Sequence, residues 1–231
     1  MSLIIDHLSF RYFVDKPILT DFSYQFKDQA ITAIIGPSGV GKTTIGKKLA
    51  NELNLDFFSS GALYRALAKF NLITKKIIFE NFHIDSLAPF KCKIDEIVIT
   101  EKELYTNALN EKSSEIAQLS EVRGVIQNIL HSIYNESSKG LVFEGRDMGS
   151  VVFPYANLKI YLDASEEVRS LRRKVQSNNQ ETIDDIRARD TRDKNRVNSP
   201  LVVPEGALLI QTDKFTIDEI IIYIKEKLEL Q

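Results

Sequence analysis

The sequence predicts an α/β protein in three layers, a mainly parallel sheet covered by helices on both faces. Three observations carry that reading. Short apolar runs at Ile31 to Ile35, Gly140 to Glu144, Leu158 to Leu162 and Ala207 to Ile210 are separated by stretches of helical character, the alternation that builds such a sheet. A glycine-rich loop joins the first run to a helical pattern. The 231 residues, 43% of them hydrophobic, suffice for one substantial core with room for a small inserted lobe.

Each element follows from a local pattern. Leu8, Phe10 and Tyr12 alternate with Ser9 and Arg11, and Phe22, Tyr24 and Phe26 alternate with Ser23 and Gln25. That is the period of half-buried strands. With Asp15-Lys16-Pro17 between them, they predict a β-hairpin over residues 1–30 that ends at the polar turn Lys27-Asp28-Gln29. Ile31 to Ile35 is stopped by Gly36, and Thr43 to Leu53 carries Ile45, Leu49 and Leu53 at helical spacing, giving strand, glycine loop, helix. Glu166 to Ser177 and Glu181 to Asn195 read as charged helices, and Ile217 to Leu228 as a closing amphipathic helix. Residues 70–120 break the alternation. They predict an inserted lobe holding a short strand pair, Glu96-Ile-Val-Ile-Thr100 with Glu103-Leu-Tyr105.

Composition excludes several classes of function. Lys+Arg 30 against Asp+Glu 32 gives a net charge of -2, so no overall field draws the chain to nucleic acid or an anionic membrane, and any phosphate binding is local. Cys92 is the one cysteine, which fits a reducing compartment. His7, His83 and His131 show no metal-ligand spacing. With no apolar run of about 18 residues and no signal-like start, the expectation is a cytoplasmic soluble protein, a monomer without membrane or nucleic-acid partners.

Gly36-Pro-Ser-Gly-Val-Gly-Lys-Thr43 matches the P-loop pattern at every fixed position, in the strand-to-helix context the pattern requires. Its glycines let backbone N–H groups turn toward the β- and γ-phosphates, Lys42 adds a positive charge and the Thr43 hydroxyl reaches Mg²⁺. Gly36, Pro37, Ser38, Gly39, Val40, Gly41, Lys42, Thr43 and Thr44 are therefore the candidate ATP-binding residues, with Thr43 the candidate metal ligand. The loop is silent about the acceptor.

Four further motifs follow in order: Ser59-Ser-Gly-Ala-Leu-Tyr-Arg65, Ser114 to Arg123, Gly145-Arg-Asp-Met-Gly-Ser-Val-Val-Phe-Pro154, and Arg187 to Arg196 with Pro200-Leu201. Arg146 and Asp147 follow a buried strand, at the carboxyl end where open α/β sheets bind ligands. On a helix turning 100° per residue, Arg189, Arg192, Asp193 and Arg196 share a face that excludes Arg187. Fixed cations there suit a phosphoryl group in transfer, since charge spreads over its oxygens; the alternative is a solvated helix held by i,i+4 pairs.

Together these motifs resemble the bacterial cytidylate kinase family, from about Ile31 to the end of the chain. The resemblance implies a P-loop NTPase fold with an inserted monophosphate-binding lobe over 70–120 and a helical lid over 177–200. It implies transfer of the γ-phosphate of ATP to CMP or dCMP with Mg²⁺. Lys42, Arg189, Arg192 and Arg196 would be catalytic, and Arg172 would lie near the adenine. Ser60, Tyr64, Arg65, Ser114, Arg123, Arg146, Asp147, Arg189 and Asp193 would bind CMP: Arg65, Arg123 and Arg146 at its phosphate, Ser114, Arg123 and Asp147 at the base edge, Asp193 and Arg189 at the ribose. Two positions depart from the family pattern and bear on the acceptor. Ser59 stands where an acid is usual, and Leu104-Tyr-Thr106 where Ile-Arg-Thr is usual.

The first 28 residues are surplus to that family and resemble instead the start of an ABC transporter ATPase subunit, with Tyr12 where an aromatic stacks on adenine; core packing is the other reading of Tyr12. No LSGGQ-like sequence follows, and Leu158 to Asp163 lacks the glutamate of a Walker B pair. Three alternatives stay open at this point: a P-loop kinase for another small nucleotide or metabolite, an ABC-type ATPase, and a non-catalytic nucleotide-binding module.

Overall fold

The computed structural model describes residues 4–13, 16–25, 30–176 and 182–229, the first two segments by backbone alone. The chain divides into two units, Met1–Ala30 and Ile31–Gln231. In the first, β1 (Ile4–Phe13) and β2 (Lys16–Gln25) pair antiparallel, with Ile5 opposite Tyr24 and Phe10 opposite Leu19. The alternation thus produces the expected hairpin, its register broken at several points along β1. The turn expected at Lys27 to Gln29 and the side chain of Tyr12 lie outside the described residues.

The second unit is built on five strands, β3 (Ile31–Ile35), β4 (Asp56–Ser59), β8 (Leu141–Gly145), β9 (Leu158–Asp163) and β10 (Leu208–Gln211). They lie in the order β10-β9-β3-β8-β4, and every pairing is parallel. Alternate residues of a strand point to opposite faces, and here they divide between two cores. Ile31, Ala33 and Ile35 of β3 join Leu141 and Phe143 of β8 in one cluster. Ile34, Val142, Ile160 and Leu162 join the other. Burial on both faces is why these strands read as unbroken apolar runs.

Helices α1 (Lys42–Glu52), α2 (Ser60–Thr74), α4 (Ser120–Glu136), α5 (Glu166–Gln176) and α6 (Ile183–Asn195) lie between the strands, and α7 (Ile217–Glu229) follows the last of them. The short strand β4 has no counterpart in the sequence reading: its four residues, Asp56-Phe-Phe-Ser59, hold only two apolar side chains between polar ones.

The stretch that breaks the alternation holds β5 (Phe82–Leu87), β6 (Phe90–Ile94) and β7 (Ile97–Thr100) in an antiparallel sheet, followed by α3 (Asn107–Ile116). This corrects the expected strand pair. Ile97 to Thr100 is a strand, but Glu103-Leu-Tyr105 is not. Thr100 and Glu103 close a capping box on each other, the Glu103 carboxylate accepting from the Thr100 amide (2.9 Å) and hydroxyl (2.7 Å). The chain therefore turns through a single 3₁₀ turn instead of doubling back. Strand β7 pairs with β6, where Phe90, Cys92 and Ile94 are buried on alternate positions. Burial pushes the Cys92 thiol up to about 12, which leaves it a core residue without thiolate chemistry. Among the described residues, no helix is long and apolar enough to cross a membrane.

Candidate active site

The carboxyl ends of three neighbouring strands deliver the site. β3 runs into the glycine loop, β8 into Arg146 and Asp147, and β4 into Ser60 at the start of α2.

The loop after β3 is braced by side chains. The Lys42 ammonium donates to the Pro37 carbonyl (2.7 Å), Arg146 donates to that of Gly36, Arg169 to that of Ser38 (3.2 Å), and the Thr212 hydroxyl to that of Val40 (3.0 Å). With four carbonyls of one loop engaged by side chains, its N–H groups remain for an anion, at the N-terminus of α1. Gly39 (φ +81) is required twice over: its backbone is left-handed, and a Cβ there would sit 2.7 Å from the Arg169 carbonyl oxygen. Gly145 is required by close approach, since a Cβ would meet the Ser60 hydroxyl at 2.6 Å.

One cleft gathers Lys42, Thr43, Ser60, Tyr64, Arg65, Ser114, Arg123, Arg146, Asp147, Arg189, Asp193 and Arg196. Its lining among the described residues includes seven cations (Lys42, Arg65, Arg123, Arg146, Arg173, Arg189, Arg196) against three carboxylates (Glu144, Asp147, Asp193). In a chain of net charge -2, this surplus is the local positive field that phosphate binding requires.

The charges are ordered by specific pairs. Arg123 binds Asp147 at 2.7 Å with both side chains under 10% exposed, and its guanidinium lies over the Tyr64 ring at 5.6 Å. Burial, with the Asp147 charge adding to it, pushes the Tyr64 phenol up to about 12. Arg146 pairs with Asp193 at 2.8 Å, and Arg196 meets the same carboxylate at 3.5 Å while donating to the Ser199 carbonyl. Burial alone would raise the Asp193 carboxyl; Arg146, Arg189 and Arg196 together hold it below the usual range. For Arg189 the nearby Asp193 charge is outweighed. Burial and the charges of Arg146 and Arg65 push its guanidinium down to about 9. Lys42 is likewise depressed well below its ordinary value, first by burial and then by Arg146.

Four buried side-chain atoms in this cleft have no hydrogen-bond partner: Ser114 Oγ, Arg123 Nε, Glu144 Oε2 and Arg196 Nη2. Buried polar atoms are normally satisfied. Donors and acceptors left over in one place describe a polar ligand.

Of the expected site residues, Gly36, Pro37 and Val40 of the loop do not line this cleft, and neither do Arg192 and Arg172. Arg192 sits beside this cleft, in an adjoining cavity lined by Asn107, Asn110, Glu111 and Asp185, where its Nε donates to the Ala188 carbonyl (3.3 Å). The reason is helical phase: Arg192 and Asp193 are 100° apart, on opposite sides of the direction set by Arg189, so the shared face expected from the sequence divides. Arg172 donates to the Thr212 hydroxyl and carbonyl (2.9 Å each) and lines a separate cavity of about 540 Å³ with Gly39, Val40 and Gly41.

Four residues were not foreseen. Arg173 reaches the cleft because it is one helical step round from Arg172. Glu144 accepts from the Ser59 hydroxyl (2.5 Å) at the end of β8, one residue before the motif that pointed to Arg146. Arg169 and Asp190 form a buried ion pair between α5 and α6, with Arg169 also donating to the Ala164 carbonyl (3.2 Å); only a structure brings those two together.

A parallel sheet, a phosphate loop after its central strand and a cationic cleft beside it define a P-loop phosphotransferase. The fold agrees with that of a gluconokinase from Sinorhizobium meliloti 1021 (TM-score 0.50, 14% identity, 88% of this chain and 97% of that one). The cytidylate kinase family model matches residues 32–230. Curated relatives include the cytidylate kinase of Chlamydia felis (strain Fe/C-56), 36% identical over 208 residues, 83% of this chain and 94% of that one. That of Mycoplasmopsis pulmonis (strain UAB CTIP) is 37% identical over 204 residues, 81% of this chain and 90% of that one. The chain belongs to the cytidylate kinase family.

Proposed function

We propose that this chain transfers the γ-phosphate of ATP to CMP or dCMP. The observation that carries the reading is the set of unsatisfied buried atoms in a cleft lined both by the phosphate loop and by Arg65, Arg123 and Arg146. Two phosphorylated molecules fit such a cleft end to end.

In this reading the loop amides and Lys42 hold the β- and γ-phosphates, whose charge favours the Lys42 ammonium against the burial that disfavours it. Arg65, Arg123 and Arg146 take the acceptor phosphate. The cytosine edge offers an amino donor beside two acceptors; Asp147 accepts from the amino group while the free Ser114 hydroxyl and Arg123 Nε donate. Asp193 and Arg189 serve the ribose, and Arg189 and Arg196 reach the oxygens of the group in transfer. Catalysis is by position and electrostatics, without a covalent intermediate. Arg192 has no role in the arrangement described and would act only if the 177–200 segment closed as a lid.

The residues suit Mg²⁺. The Thr43 hydroxyl and the unpartnered Glu144 Oε2 face the same cleft, a small oxygen donor set of the kind this ion takes when phosphates and water complete its shell. When bound, Mg²⁺ supplies neutralisation of the phosphate oxygens. The same proposal makes the protein a cytoplasmic monomer with small nucleotides as its partners.

Coupled ADP release measured with CMP, dCMP, UMP, AMP and no acceptor tests the reading. Release should require a cytidine nucleotide, and equal release without acceptor would overturn it. Lys42→Ala should lower kcat about 100-fold, the loss of one preorganised charge in the transition state, with an unchanged circular dichroism spectrum.

A further inference from the structure

The Arg65 guanidinium is held on three sides. Its Nε donates to Asn110 Oδ1 of α3 (3.1 Å), and a terminal nitrogen donates to the Gly61 carbonyl one turn earlier in α2 (3.0 Å). Both bonds lie in the guanidinium plane, so they fix its position in that plane and leave it able to tilt. The third contact restricts the tilt: the centroid of the Tyr105 ring lies 5.2 Å from the guanidinium carbon.

Tyr105 is otherwise unexplained. It does not line the cleft, and it is 58% exposed, an aromatic left largely in water. Its neighbours fix where it stands. Leu104 is fully buried, and the Thr106 hydroxyl caps α3 by accepting from the Leu109 amide (3.3 Å). A side chain held between an anchor and a cap, its ring against a cation that reaches the cleft, is placed to act through that cation.

We propose that Tyr105 is a positioning residue for the acceptor phosphate. Its ring covers the outer side of Arg65 and presents the remaining N–H groups to the phosphate at a set angle, where the family pattern has an arginine. The inference rests on the reading of this cleft as the CMP site. Because Tyr105 acts on the phosphate through Arg65, removing it weakens ligands that carry a phosphate and leaves the bare nucleoside unaffected.

Calorimetric titration of CMP and of cytidine into wild type, Tyr105→Ala and Tyr105→Phe tests this, with melting temperatures alongside. Tyr105→Ala should raise the CMP dissociation constant about 2- to 5-fold, the range of a partly exposed cation–π contact. Tyr105→Phe should match wild type, and cytidine binding should not change. If wild type does not bind CMP, the reading of the cleft and this proposal fall together. If wild type binds CMP and Tyr105→Ala binds it equally well, only the role of Tyr105 falls. Two other results would also overturn that role: an equal loss for cytidine, or a loss in Tyr105→Phe as large as in Tyr105→Ala.

Discussion

Arg189→Met should lower kcat about 1000-fold while raising the melting temperature. The first effect follows from removing a fixed cation beside the group in transfer, where an arginine contributes about 10³ or more to the rate. The second follows from the free protein. Arg189 is half-buried beside Arg146, Arg65 and Arg173, with Asp193 opposing them, and desolvation together with those like charges pushes its guanidinium down to about 9. Folding therefore disfavours its charge, and replacing such a group by an apolar one of similar length is stabilising, here by about 1–2 kcal/mol. The sign with pH is fixed. The unfolded chain holds this proton more tightly than the folded one, so the cost is fully present below about 9 and fades above it. The advantage of Arg189→Met should be largest near neutral pH and narrow as pH rises past 9. Scanning calorimetry at pH 7 and pH 10 checks it; a variant less stable than wild type at pH 7 would contradict the account.

Asp190→Ala should act in the opposite direction, with a loss of about 3–5 kcal/mol. Its carboxylate is the ion partner of Arg169, both side chains are largely buried, and removing one member leaves the other charge without compensation. In a unit of this size the melting temperature should fall by on the order of 10 °C. The ATP Michaelis constant should rise with it, because Arg169 also holds the Ser38 carbonyl of the phosphate loop. The double variant Arg169→Met, Asp190→Leu should recover much of the stability, and no recovery would point to a role for these residues beyond their pairing.

The parts of the molecule visible in the sequence were those whose chemistry is local. The glycine loop, the strands β3, β8 and β9 and helices α1, α5 and α7 announce themselves by apolar period and by glycine. The cleft residues came from motifs, and Arg65, Arg123 and Arg146 do line one cavity. What could not be read was set by packing across the chain. Arg192 and Asp193 are neighbours whose 100° separation decides which enters the cleft. The Arg169–Asp190 pair spans two helices, and Glu144 was hidden at the end of a strand read for its apolar residues. The strand wrongly given to Glu103-Leu-Tyr105 shows a different limit: a capping box overrides the weak β signal of three residues. Phe90-Lys-Cys-Lys-Ile94, by contrast, carries a clear alternation of apolar and charged residues, and it is a strand.

The four side-chain braces of the phosphate loop have a bearing on how variants of this chain should be interpreted. Thr212 is 172 positions from the carbonyl it supports, and Arg169 is 131 from its own. A lesion at either would present itself biochemically as damage to the glycine-rich segment, although no alteration had occurred there. Genetic screens that sort substitutions by linear proximity to a motif would file both under the wrong heading.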